Sequence, residues 1–488
     1  TDSPDPPNPN PALTLEPGGL GWITFDDLHR SVNLFNHQVM GEFARRLSEA
    51  RALSAAGDLR ALVLWSGKAD SFFVGADVAA IRGVTDARQG EEVARKGQDV
   101  FQELASLPIP TLAAIHGVCV GGGLEMALAC HSRVVSQAPE TRLGLPEILL
   151  GLLPGWGGTS RLPRTIGIRS ALAVILSGKR YRWDESVALG LADQAFPASG
   201  FRDQVSEYAR RLADGLLPPR RRPPPWDRLL ESTAVGRRRL LAVARRRVEE
   251  RTGSHYPAPK KVLEVVDESF GLPLNEALAL EAEALGVLIA TPVSRNLLHI
   301  YQLRQDARKD RGIPPTILSL PRLPEGDAPP RGEAEAMVSR ILEPFLQEAR
   351  TLREEGSSER LVDGAARAFG MAAGPFEILR GEARRKTPVG SLDHVLQDRL
   401  ILPMVNEAAR VLAEEKWERA GAVDLALILG GGFPPFRGGL LRHADDEGLG
   451  TMVERLHALS QRFGPRFRPA GLMEELARSG QTFYHRFP

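Results

Sequence analysis

The stretch His116–Cys130, HGVCVGGGLEMALAC, runs an apolar strand through three consecutive glycines into an apolar helix. Glycines in such a place mean a backbone that approaches something closely. The helix start then aims unpaired N–H groups, and the positive end of the helix dipole, at that object. A developing oxyanion is the natural guest. Phe73–Val78, FVGADV, is a second glycine-bearing strand end. Two N–H donors from separate strand ends can hold one thioester oxygen. Taken singly, either glycine run serves equally well as a tight turn.

Two carboxylates weigh against that bland reading. Glu125 falls in the first turn of the apolar helix. Glu147 lies in a third segment, Leu145–Leu162, LPEILLGLLPGWGGTSRL, between a proline and an apolar run. A carboxylate in apolar surroundings is commonly a satisfied core group. Its pKa is also raised there, which suits proton transfer near neutral pH. Two such groups beside paired N–H donors can deliver a water and a proton across a double bond.

The rest of the chain bounds the setting. Its 488 residues suggest about two to four domains. Hydrophobic residues at 43% and charged residues at 25% fit a soluble globular protein. A formal net charge of +1 gives no field that favours nucleic acid. The two cysteines, Cys119 and Cys130, sit in an apolar stretch, which excludes a disulfide scaffold and points to a reducing, cytoplasmic setting. Residues 1–11 are acidic and proline-rich and read as a disordered leader, not a signal peptide. The most apolar long window, Thr111–Cys130, holds His116, four glycines and Glu125, so no bilayer span is expected.

Organisation along the chain is α/β first and helical later. LRALVLWSG and PTLAAIHGVCV read as two buried strands, and VSEYARRLADGLL as a helix. Residues 218–228, PPRRRPPPWDR, form a linker. The arginine clusters Arg237–Arg239 and Arg245–Arg247 read as a solvated helix face, or else as a contact to an acidic ligand. Residues 273–309 form one or two long helices interrupted near Pro292. Gly312–Gly332 is a proline-rich connector. The helical tail then repeats itself: RILEPFLQEARTLREEG from Arg340 and RLILPMVNEAARVLAEE from Arg399 share Arg, Pro and Glu-Ala at equal offsets. Each is followed by an aspartate, Asp363 or Asp424, and a glycine–proline turn. No G-x-G-x-x-G opens a dinucleotide fold.

The three glycine- and glutamate-bearing segments, in this order and spacing, resemble the crotonase (enoyl-CoA hydratase/isomerase) superfamily. Glu125 and Glu147 match both catalytic glutamates of its hydratases. The resemblance implies a spiral ββα core in which the N–H groups of Ala76 and Gly122 form the oxyanion hole. It implies that Glu125 chiefly activates water and that Glu147 chiefly protonates the α-carbon. The segment HYPAPKKVLEVVDESFGLPLNEALALEAEALGVLIATPVSRNL is similar to the linker of the bacterial multifunctional α-subunit of fatty-acid oxidation, and LGGGFPPFRGGLLRHADDEG to its helical C-terminal domain. Between these the family carries an NAD-binding 3-hydroxyacyl-CoA dehydrogenase domain; here the connector stands in its place. Ser339 occupies the position of a family asparagine.

The domains expected are a leader (1–11), a crotonase domain (12–200), a linker with long helices (201–311), the connector (312–332) and two related helical units (333–392 and 393–488). The activity implied is 2-enoyl-CoA hydration, with isomerisation over the same site, on an acyl-CoA thioester. Neither NAD nor a metal is expected as cofactor. A thiolase-like subunit or a second copy of the chain is the implied protein partner. Two competing readings are another crotonase reaction, decarboxylation or cyclisation, and a non-catalytic scaffold.

Overall fold

The computed structural model describes residues 10–216, 231–321, 331–382, 393–414 and 417–488. Most of the leader, the linker Pro218–Arg228 and positions 322–330 of the connector lie outside the described residues. The chain divides into two compact units. One holds the residues up to Arg251 together with Tyr256–Thr291; the other holds Thr252–His255 and Pro292–Pro488.

Two sheets build the first unit. The larger runs β1 (Ala12–Glu16), β2 (Leu20–Phe25), β3 (Ala61–Ser66), β5 (Thr111–Ile115), β7 (Ser132–Ser136) and β10 (Gln194–Phe196). Only its β1–β2 pair is antiparallel. The smaller runs β4 (Ser71–Phe73), β6 (Val118–Val120), β8 (Arg142–Gly144) and β9 (Tyr181–Arg182), with only the β8–β9 pair antiparallel. The chain leaves the large sheet for the small one three times, β3 to β4, β5 to β6 and β7 to β8, and helices carry it back. This is a spiral of ββα turns.

One expectation is corrected here. PTLAAIHGVCV is not one strand but two, β5 and β6, in different sheets. The break is at Gly117, whose φ of 66° lies in the left-handed region. A side chain there would also strike the backbone of Asp70.

The central strands of the large sheet are apolar on both faces because both faces are covered. Leu62 and Leu64 join Ile23, Phe25, Ala113 and Ile115 in the main core. Their neighbours Ala61 and Val63 join Trp22, Leu112 and Val134 in a second core. That face is closed by the helix Phe201–Ala213 through Phe201, Val205 and Tyr208. Each large apolar side chain so buried stabilises the unit by roughly 1.5–3 kcal/mol.

The helix Leu274–Ile289 also belongs to this unit. It crosses the helix Ala87–Ala105 at a contact between small residues: a Cβ on Gly90 would lie 2.9 Å from the Gly286 Cα. The segment 201–311, expected as one linker, is therefore divided between the units at Thr291–Pro292. Pro292 lacks the N–H that would continue the helix and opens the next one, Pro292–Arg308. No single described helix is long and apolar enough to cross a membrane.

The second unit is helical, and its internal repeat becomes a pseudo-twofold pairing. The helices Glu333–Glu354 and His394–Ala413 pack on each other. Arg340 of the first copy binds Glu407 of the second at 2.7 Å, and Arg399 of the second binds Glu348 of the first at 2.6 Å. The exchange continues two helix turns further, Arg340 to Glu414 and Arg399 to Glu355. The repeated aspartates also do one job. Asp363 accepts from Phe376 N, and Asp424 from Leu441 N and Arg442 N, so each caps the short helix after its glycine turn.

The two copies differ in burial. Arg399 and Glu348 are both buried, whereas Arg340 is exposed. Removing one partner of a buried pair costs about 3–5 kcal/mol, while an exposed pair is worth about 0–1. Glu348→Ala should therefore lower stability by several-fold more than Glu407→Ala in urea denaturation. Equal losses would show that the two ion pairs are energetically alike.

Candidate active site

The small sheet sets the geometry. β4 and β6 are parallel neighbours, so their C-terminal ends emerge side by side. β4 leads to Gly75 with φ 91°, and β6 to Gly121 with φ 58°. The two ends approach closely: a Cβ on Gly75 would lie 3.4 Å from Val120 O and 3.7 Å from Gly122 N. Beyond Gly75 the chain is fixed by Phe35, which donates to Gly75 O and accepts from Asp77 N, both at 3.0 Å. Ala76 lies between those bonds, bridged to Phe35, with its own N–H outside the ladder. Gly122 opens the helix Gly122–Ala129. Gly121 donates to Gly144 O and accepts from Leu124 and Glu125, and Gly122 N takes no part. Among the described residues neither Ala76 N nor Gly122 N has a hydrogen-bond acceptor.

Glu125 sits one turn into that helix, buried, with 2% of its surface exposed. Its Oε1 accepts from Trp156 N at 2.7 Å and Gly158 N at 2.8 Å. Glu147 opens the 3₁₀ turn Glu147–Leu150 after Pro146. Its Oε1 lies 3.0 Å from where a Cβ on Gly121 would stand, so glycine is needed there on space as well as on φ. Its Oε2 is buried and has no partner among the described residues.

A third carboxylate joins them. Glu281, on the helix Leu274–Ile289, is fully buried. It accepts from Gly157 N at 2.5 Å, Ser160 N at 2.7 Å and Gln98 Nε2 at 3.3 Å. An aromatic wall completes the surroundings: Trp156 stands edge-on to Phe35 and Phe101, with its ring against Gly97 and Gly122.

Electrostatics follow from burial. Glu125 is pushed well above the usual carboxyl range, first by desolvation, then by the charges of Glu147 and Glu281. Burial raises Glu147 to about 8, with Glu281 adding to it. Burial raises Glu281 to about 7 against its backbone hydrogen bonds. The site thus holds protons near neutrality, beside two N–H donors free to take an oxygen.

The four residues singled out from the sequence, Ala76, Gly122, Glu125 and Glu147, are brought together around β4 and β6. The arginine clusters are not part of the site. Arg245 and Arg246 pair with Asp267 and Glu250 on an exposed helix face. Ser339 lies in the second unit, half-buried on the helix Glu333–Glu354. Glu281, Trp156 and Phe35 were not anticipated. For Glu281 a signal existed: it is the one charge within the buried stripe Ala277, Leu278, Ala282, Leu285 of its helix.

The first unit is similar to known proteins. Residues 16–219 match the enoyl-CoA hydratase/isomerase family. A Shewanella amazonensis protein, fatty acid oxidation complex subunit alpha, is 39% identical over 327 residues, 67% of this chain and 44% of the relative. The chain thus spans less than half the length of that relative. Among solved structures, Pseudomonas aeruginosa DspI is 30% identical, over 41% of this chain and 80% of its own, with a TM-score of 0.37. An enoyl-CoA hydratase from Geobacillus kaustophilus is 26% identical, over 59% of this chain and 93% of its own, with a TM-score of 0.39. The first unit is crotonase-like α/β and the C-terminal part is helical, and residues 16–219 belong to the enoyl-CoA hydratase/isomerase family of the crotonase superfamily.

Proposed function

We propose that this chain is a 2-enoyl-CoA hydratase. One observation carries the reading: the acceptor-free N–H groups of Ala76 and Gly122 lie on adjoining strand ends beside the buried Glu125 and the half-buried Glu147, whose Oε2 is itself buried. The thioester oxygen of an enoyl-CoA accepts from both N–H groups. Glu125 takes a proton from water as the oxygen attacks the β-carbon. The electron pair of the double bond moves onto the thioester oxygen as an enolate, where the two N–H groups stabilise it. The enolate then collapses, and Glu147 delivers a proton to the α-carbon. Product formation leaves Glu125 protonated and Glu147 ionised, and exchange with solvent resets the pair. A carboxyl raised to about 8 is protonated near neutrality, as a donor must be. Burial raises the Glu125 carboxyl most, and its two backbone N–H bonds act against that shift, toward the ionised form that a base uses. The same shuttle over the same oxygen site supports isomerisation of a 3-enoyl-CoA.

This chemistry draws on side chains and backbone alone, with neither metal nor NAD. The sequence has no G-x-G-x-x-G, and Ser339 stands where the multifunctional family carries an asparagine. Hydride transfer is therefore not part of the reading. A thiolase-like subunit or a second copy of the chain remains the proposed protein partner, and the cytoplasm the proposed location. A pure scaffold has no use for raised carboxyls facing free N–H donors.

Hydration of crotonyl-CoA, followed by loss of enoyl absorbance, should proceed with EDTA present, and NAD with 3-hydroxybutyryl-CoA should give no NADH. Glu125→Gln and Glu147→Gln should each lower turnover by about two to four orders of magnitude. The double variant should lose less than the product of the two, because both groups act on one transition state. Wild-type turnover in both single variants would overturn the assignment.

The raised carboxyl of Glu147 also makes stability depend on pH. Between its ordinary value of 4.5 and about 8 the folded state binds more protons than the unfolded state, so stability falls as pH rises through that window. Glutamine does not titrate. Thermal melting of Glu147→Gln relative to wild type should thus improve from pH 5 to pH 8. A constant difference across that range would remove Glu147 as the buried titrating group.

A further inference from the structure

One turn of backbone serves two buried carboxylates. Along Trp156–Ser160 the N–H groups alternate between them. Trp156 N and Gly158 N donate to Glu125, while Gly157 N and Ser160 N donate to Glu281. The donors interleave, so neither carboxylate can shift without turning the peptide planes that hold the other. The helix Gly158–Ile166 that follows has no side-chain cap at its own N-terminus. Glu281 reaches that end from 124 residues further along the chain. A local Ser, Asp or Asn would satisfy these N–H groups without burying a distant charge.

The burial is complete and organised. Gln98, on the helix Ala87–Ala105, donates to Glu281 and also to Gly155 O and Leu278 O, and so ties the turn to the helix that bears Glu281. Leu285 on that helix also fills the space beside Gly155. We propose that Glu281 is a positioning residue for the hydratase reaction, fixing the Pro154–Ser160 turn that orients Glu125 for proton transfer. This rests on the hydratase reading of the Glu125–Glu147 site. It also places a part of the catalytic frame outside the matched domain, which ends at residue 219.

The charge of Glu281 acts on the pair as well as its bonds. The charged groups facing it are Glu125 from the helix Gly122–Ala129, Glu147 from its 3₁₀ turn, and Arg161 and Arg164 from the helix Gly158–Ile166. Its negative charge raises both catalytic carboxyls. A helix cap with no further role would change stability and leave the acid–base behaviour of the pair alone.

Two variants of the full chain separate bonds from charge. Glu281→Gln keeps the size, removes the charge and sets an NH₂ against a backbone N–H. Its kcat should fall by about 10- to 100-fold, the scale of a displaced catalytic group, with KM for crotonyl-CoA within about threefold of wild type. Both limbs of its pH–rate profile should move to lower pH, because a negative neighbour has been lost. Glu281→Asp keeps the charge but falls one methylene short. It should lose kcat with its limbs in place. Carboxyl titration of ¹³C-glutamate-labelled protein gives a readout free of turnover: Glu125 and Glu147 should titrate lower in Glu281→Gln than in wild type. Wild-type kcat and unshifted limbs in a Glu281→Gln protein that only melts lower would overturn the proposal and leave a simple cap. If that variant does not fold, wild-type kcat in Glu281→Asp overturns it alone. A wild-type chain that does not hydrate crotonyl-CoA defeats the hydratase reading instead. The ¹³C titration then decides for or against Glu281 by itself.

Discussion

The first unit depends on burying carboxylates without letting them go unpaired. An unpartnered ionised group in the interior costs several kcal/mol, and in practice such a group either finds donors or takes up a proton. In this protein burial raises all three carboxyls, and two of them find donors as well. Glu125 and Glu281 find backbone N–H groups on a single turn. Glu147 has one oxygen buried with no partner and is held toward its protonated form. The two carboxyls therefore differ in hydrogen bonding, although burial raises both.

That arrangement is available only because the backbone comes so close. Gly75 and Gly121 lie within van der Waals contact of each other's strand ends, and a side chain on Gly121 would press on Glu147. The small sheet exists to bring these ends together. Its short strands hold few bonds of their own, and the large sheet and two apolar cores supply the rigidity behind them. Positive φ at both glycines then turns the chain, so that the N–H groups of Ala76 and Gly122 take no part in either ladder.

Much of this was legible in the sequence, and the limits are physical. Glu125, Gly122 and Glu147 could be read because glycine runs and lone charges in apolar segments are local patterns. The split of PTLAAIHGVCV into two sheets could not, because one left-handed residue, Gly117, decides it against a continuous apolar run. Glu281 was missed because its partners are more than a hundred residues away. Only its intrusion into a buried helical stripe marked it. In the second unit the shared Arg and Glu-Ala positions announced a repeat. That the arginine of each copy would bind the glutamate of the other follows from the pairing of the two helices, which repetition alone does not specify.

The helix Leu274–Ile289 extends the first unit beyond the matched segment. The family match stops at residue 219, yet four N–H groups of the Trp156 turn are shared between Glu125, inside the match, and Glu281, outside it. Without that helix, Gly157 N and Ser160 N would face the interior unpaired, at about 1–3 kcal/mol each. The small-residue seam at Gly90 would lose its partner Gly286. A chain fused beyond its crotonase domain therefore carries its own closing element.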